Sequence, residues 1–249
     1  MTKRLAYVAL LAAALGVSLL GCTTQATPGQ TETGAQGAVP VYERAAEVTS
    51  PVEARTLLEE GNARFIGGQA NPSSGSDSVL PKDLSQARRD ELAKGQHPFA
   101  VVVTCSDSRV PPEVLFDQAL GDVFVVRVAG NVVDPVVLGS VEYAVEHLGA
   151  PLVVVMGHTK CGAVAATVEG GRVSGSIGSI IDLIHPAVDR AKAAGANEAE
   201  LPEASADVNI EIQKQVIEGS RLLDEFVEAD KLEIIGAKYD IASGTIDWF

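Results

Sequence analysis

The sequence predicts an α/β fold, with a mostly parallel central sheet flanked by helices and an antiparallel strand at its C-terminal edge. Three observations predict it. Valine-rich apolar runs at 99–104, 123–128, 152–156 and 232–237 lack period-two alternation, as expected of strands covered on both faces. Helical patterns lie between them, including 136–147 and 210–228, and strands alternating with helices build parallel sheets through right-handed crossovers. The last stretch, 237–249, carries a Ser243-Gly244 turn between two strand-like pieces, which pairs the final strand antiparallel at an edge.

The elements follow in order along the chain. Lys3 and Arg4 precede an apolar run, 5–20, of the length of an export signal and too short to span a bilayer comfortably. The run ends in Leu19-Leu20-Gly21-Cys22, which resembles the lipobox of bacterial lipoproteins, although Leu20 stands where small residues are commoner. That resemblance implies a signal peptide over 1–21 and acylation of Cys22. The mature protein would then be exported and held by its lipid alone to a membrane, on the periplasmic or cell-surface side. Residues 22–49, rich in Thr, Gln, Gly, Ala and Pro, read as a flexible tether.

Residues 50–249 read as one domain. Ser50 followed by Pro51 caps an amphipathic helix over 51–65 that ends near Gly67-Gly68, and such a helix outside the sheet needs a surface to cover. A Ser/Gly/Asn loop occupies 71–81 and a second short helix 84–94. Hydrophobic residues make up 46% of the chain and charged residues 21%, enough apolar material for a full core. The formal charge of −14 is spread along the helical stretches and repels phosphate backbones, which excludes nucleic acid as a partner class.

Two motifs carry the chemistry. Cys105-Ser106-Asp107-Ser108-Arg109 follows the first strand, and His158-Thr159-Lys160-Cys161-Gly162 follows the third. Loops at the carboxyl ends of neighbouring parallel strands meet at one crevice. Two thiolates and an imidazole suit zinc, and three protein ligands leave a fourth tetrahedral position open to water. Zinc lowers the pKa of water to about 7, which supplies a hydroxide at neutral pH. Asp107, two residues from a ligand, is spaced to accept a hydrogen bond from that hydroxide, and Arg109 is spaced to fork onto Asp107. Each motif alone is a weak signal, but their joint occurrence after two separate strands is a strong one.

At these residues the chain resembles the β-class carbonic anhydrases, whose motifs are Cys-x-Asp-x-Arg and His-x-x-Cys. The resemblance runs from about Pro51 to Phe249 and includes Phe116-Asp-Gln-Ala-Leu-Gly-Asp-Val-Phe-Val-Val-Arg-Val-Ala-Gly-Asn131. It implies one zinc per chain on Cys105, His158 and Cys161, with Asp107 and Arg109 as the catalytic dyad. The implied reaction is reversible hydration of carbon dioxide to bicarbonate and a proton. It implies a substrate pocket at Gln96 (contributed from the neighbouring subunit), Phe124, Ala129, Tyr143 and the Gly162 amide, and a homodimer or larger homo-oligomer in which the 51–65 helix embraces the partner. Some family members use a tryptophan three residues before the first ligand to control site closure. Val102 stands there, so an open site without that control is expected.

The rival readings come from different classes. The same scaffold and metal would serve a carbonyl sulfide or carbon disulfide hydrolase. A non-catalytic zinc- or bicarbonate-binding lipoprotein is a second, against which an intact Asp107 and Arg109 argue. Export favours disulfides, so a Cys105–Cys161 pair or a redox dithiol is a third. No histidine among His97, His147 and His185 is assigned a proton-relay role.

Overall fold

The computed structural model describes residues 47–68 and 86–249. The export signal, Cys22, most of the tether and the 71–81 loop lie outside the described residues. Those described belong to one compact unit, 39–249.

Helix α1 spans Pro51–Ile66, and Ser50 opens it by accepting the Glu53 amide at 3.5 Å. Helix α2 covers Gln86–Leu92. Then follow β1 (Ala100–Thr104), the single turn α3 (Pro112–Leu115), β2 (Val123–Arg127), α4 (Pro135–Glu146) and β3 (Leu152–His158). Helices α5 (Gly162–Glu169), α6 (Ile177–Ala193), α7 (Leu201–Glu218) and α8 (Arg221–Glu228) lead to β4 (Glu233–Tyr239) and β5 (Ile246–Trp248). The strands form one sheet in the order β2-β1-β3-β4-β5, parallel except for the antiparallel β4–β5 edge.

Both faces of the sheet are covered, as the valine runs require. Val102, Val154, Met156 and Ala237 face α1 and α3 with Ala54, Leu58 and Leu115. Val101, Val103, Val153 and Val155 face α4, α7 and α8 with Val141, Ile210, Ile217 and Leu223. β1 and β3 are buried at every residue, each aliphatic side chain stabilising by about 1.5–3 kcal/mol.

Four readings are corrected or refined. The helical pattern at 210–228 is two helices: α7 starts earlier, at Leu201, and Gly219 closes it by donating to the Gln215 carbonyl at 3.0 Å. Ser220, in extended conformation, then opens α8. β2 is covered less fully than β1 and β3: Val123 packs toward one core and Phe124 and Val126 toward the other, but all five residues stay half-buried at the sheet edge. The apolar stripe of α1 packs on its own chain, with Ala54 and Leu58 fully buried, and Asn62 donates to the carbonyls of Leu115 and Gly244. That helix therefore covers its own sheet, while Val52 and Ile66 stay exposed on it. β3 runs to His158, so this residue ends the strand rather than following it.

Candidate metal centre

Cys105 follows β1 directly and His158 closes β3, and these two strands are hydrogen-bonded neighbours with Thr104 level with Met156. Cys161 is the N-cap of α5. Pairing the strands therefore brings the three residues together. Both sulfurs and one imidazole nitrogen lie within 4.8 Å of one another, and all three residues are buried. Both cysteines are free thiols, not a disulfide.

Each donor is prepared for a cation. His158 Nδ1 lies 2.9 Å from the Thr159 carbonyl, which can only accept, so Nδ1 carries the hydrogen and Nε2 the lone pair. Nε2 is buried and makes no hydrogen bond outside the cluster, where its neighbour is the Cys105 sulfur. A metal ion between this lone pair and the two sulfurs would satisfy all three at once. Cys105 Sγ accepts from the amides of Gly130 at 3.2 Å and Asp107 at 3.4 Å. Cys161, at the start of α5, takes bonds from the amides of Ala163 and Val164. Without a metal, the hydrogen bond from Cys161 pulls the Cys105 thiol down to about 4, against the opposing effect of burial. The same bond, with burial, pushes the Cys161 thiol up. One proton shared between two sulfurs occupies the position that a soft divalent cation fits.

The dyad forms as the spacing suggests. Arg109 Nε donates to Asp107 Oδ1 at 2.9 Å and Nη2 to Oδ2 at 2.7 Å, while the Arg109 amide also donates to Oδ1 at 3.0 Å. The side-chain bonds from Arg109, chief among several causes, hold the Asp107 carboxyl well below the usual carboxylate range.

The remaining pocket positions divide. Gly162 begins α5, and the space where its side chain would stand is open. Ala129 lies in the 3-10 turn Ala129–Asn131 beside Cys105. Phe124 is level with Val101, four residues before Cys105, which sets it about 13 Å along the strand from the cluster. Tyr143 packs on Phe124 at 6.3 Å between ring centroids. Gln96 is exposed before β1, at the opposite end of the sheet, beside a cavity of about 570 Å³ shared with Leu92, Leu120 and Val123. These three do not converge on the cluster of their own chain.

Sequence reasoning passed over the scaffold that fixes both motifs. Arg127 donates to the carbonyls of Cys105 at 3.0 Å and Asp107 at 2.5 Å. Glu203 of α7 accepts the Lys160 amide at 2.8 Å and pairs with Lys238, and Thr159 donates its amide to the Tyr239 carbonyl at 3.0 Å. An arginine inside a valine strand was the one signal available for Arg127.

Comparison with known proteins agrees with this geometry. A family model described as carbonic anhydrase matches residues 100–246. The carbonic anhydrase of Mycolicibacterium smegmatis is 42% identical over 204 residues, covering 80% of this chain and 93% of that one. Carbonic anhydrase 2 of Mycobacterium tuberculosis is 39% identical over 201 residues, covering 79% and 91%. Among solved structures, one described among two tetrameric β-carbonic anhydrases from the ascomycete Sordaria macrospora matches with a TM-score of 0.61 at 30% identity, over 65% of this chain and 85% of that chain.

Proposed function

This chain belongs to the β-class carbonic anhydrases, enzymes of carbon dioxide hydration, and from that premise we propose that it works with one zinc ion per chain on Cys105, His158 and Cys161. The observation that carries the zinc reading is the buried Nε2 of His158 gathered within 4.8 Å of two free sulfurs, with no hydrogen bond leading out of the cluster. When bound there, zinc supplies Lewis-acid activation of water near neutral pH.

The chain's own residues do the rest. Asp107 Oδ1 already accepts two hydrogen bonds, whereas Oδ2 accepts one, from Arg109 Nη2. A lone pair on Oδ2 remains to take a hydrogen bond from a hydroxyl group in the site. Because Arg109 keeps the carboxylate ionised, Asp107 accepts and does not donate there. It therefore admits an oxygen that carries a proton, such as the hydroxyl of bicarbonate, and repels a bare anionic oxygen. The amides of Ala163 and Val164 are taken by the Cys161 sulfur, which leaves the Gly162 amide, the first of α5, to favour negative charge on a substrate oxygen.

Gln96, Phe124 and Tyr143 fit this reading as residues of a neighbouring subunit's pocket. The half-buried β2 edge, with Val136 at 77% and Tyr143 at 47% exposure beside it, is an apolar surface that a second copy of the chain would cover. Export and anchoring through Cys22 are supported by the sequence alone. No helix among the described residues is long and apolar enough to cross a membrane. Incorporation of labelled palmitate into the wild type and not into Cys22→Ser tests the anchor.

The central test is zinc per chain in the purified protein, with carbon dioxide hydration followed by stopped flow beside Cys161→Ser. About one zinc, and hydration abolished in the variant, supports the reading. A metal-free protein that stays inactive after reduction and zinc loading overturns it, and a parallel assay with carbonyl sulfide decides between substrates.

A further inference from the structure

α7 carries two polar side chains on its buried face. Asn209 is 0% and Gln213 1% exposed, one helical turn apart among Ala206, Ile210 and Ile217. Asn209 Nδ2 donates to the Gly130 carbonyl at 2.8 Å, and its Oδ1 accepts from Gln213 Nε2 at 3.1 Å. Gln213 Oε1 in turn accepts the Val133 amide at 2.8 Å. The two side chains thus hold the turn between Gly130 and Val133 at both ends. That turn donates to the metal cluster, because the Gly130 amide points at Cys105 Sγ. Gly130 has φ +72°, and a Cβ there would stand 2.5 Å from Ile184 Cδ1, so its neighbours prescribe its conformation closely.

We propose that Asn209, backed by Gln213, is a positioning residue for the metal centre: by fixing the Gly130 turn it aims the Gly130 amide at Cys105 and sets how strongly that sulfur donates to the metal. Buried polar groups persist in a core only when they are satisfied; Gln213 Nε2 also reaches the Leu183 carbonyl at 3.4 Å, while Asn209 donates to the turn whose amide meets Cys105. Hydrogen bonds to a ligating sulfur lower the energy of its lone pairs, and outer partners of this kind are worth about 10–100-fold in metal affinity.

The proposal rests on the metal reading, and the test separates the two. Full-length wild type, Asn209→Leu and the milder Asn209→Ser are loaded with cobalt(II), and zinc affinity is measured against a chelator. Folding is followed by circular dichroism. The expected result is a thiolate-to-cobalt band moved to longer wavelength in both variants, with zinc affinity about 10–100-fold weaker. If Asn209→Leu does not fold, Asn209→Ser carries the comparison. A folded variant with the wild-type band and wild-type affinity, whatever its melting temperature, reduces Asn209 to a packing role and overturns the proposal alone. Wild type that binds neither metal overturns both.

Discussion

Arg109 and Asp107 form a two-point fork in which Nε meets Oδ1 at 2.9 Å and Nη2 meets Oδ2 at 2.7 Å, and the same Nη2 reaches the Lys160 carbonyl at 3.3 Å. The arginine therefore joins the loop after β1 to the loop after β3, next to Cys161. Arg109→Leu frees the Asp107 carboxylate to turn toward the cluster, and we expect kcat for hydration to fall about 10²–10⁴-fold while zinc per chain stays near one. Arg109→Lys restores little, because an ammonium makes a single contact where the guanidinium makes two. Stopped-flow rates beside metal analysis check both; a leucine variant with wild-type kcat sinks the assigned role of the fork.

The same fork predicts an acid limit. Asp107 has a lowered pKa in the folded protein, so its contribution to stability is complete above its unfolded value, near 4, and is lost as pH falls through the lower folded value. Thermal melts of wild type and Asp107→Asn are therefore expected to differ most above about pH 5 and to converge as pH drops toward 2. A gap that widens on acidification contradicts this.

Metal removal has its own signature. Without a metal the bond between the two sulfurs holds the Cys105 thiol well below the usual thiol range and pushes the Cys161 thiol above it. Thiolate absorption in the ultraviolet should therefore correspond to one sulfur at pH 7 and be lost only on strong acidification. Two thiolates at pH 7, or none, would show that the pair does not share a proton.

Gly130→Ala tests the turn that faces Cys105. The positive φ and the 2.5 Å approach to Ile184 both oppose a side chain, and destabilisation of about 1–3 kcal/mol is expected by chemical denaturation.

Covering the β2 edge is tested by Val136→Asp. A charge at this exposed apolar position should shift the assembly toward monomer in sedimentation velocity and leave the fold intact. An unchanged sedimentation profile removes this face from the interface.

Much of the sheet and all five motif residues were legible because each depends on local sequence. Short valine-rich runs bounded by turn signals read as strands, and a ligand directly after a strand has little freedom in where it goes. The misread parts depend on distant contacts. Gly219 inside an apolar periodicity did not reveal that Ser220 would leave the helical conformation, and nothing local says that α1 covers its own sheet. Asn209 and Gln213 left a faint trace, two amides on the apolar stripe of a helix, but their purpose appears only when Gly130, 79 residues earlier, is seen against them.

The level pairing of Thr104 with Met156, 52 residues apart, bears on the order of folding. Because side chains alternate along a strand, a slip of one residue between β1 and β3 would turn His158 to the other face of the sheet and carry Cys161 along with it, parting both from Cys105. The three donors meet only once β1 has paired with β3, so capture of a metal would follow closure of a long parallel loop, the slow kind of step. An ion held by all three would be retained by chains that paired in register and released by those that did not.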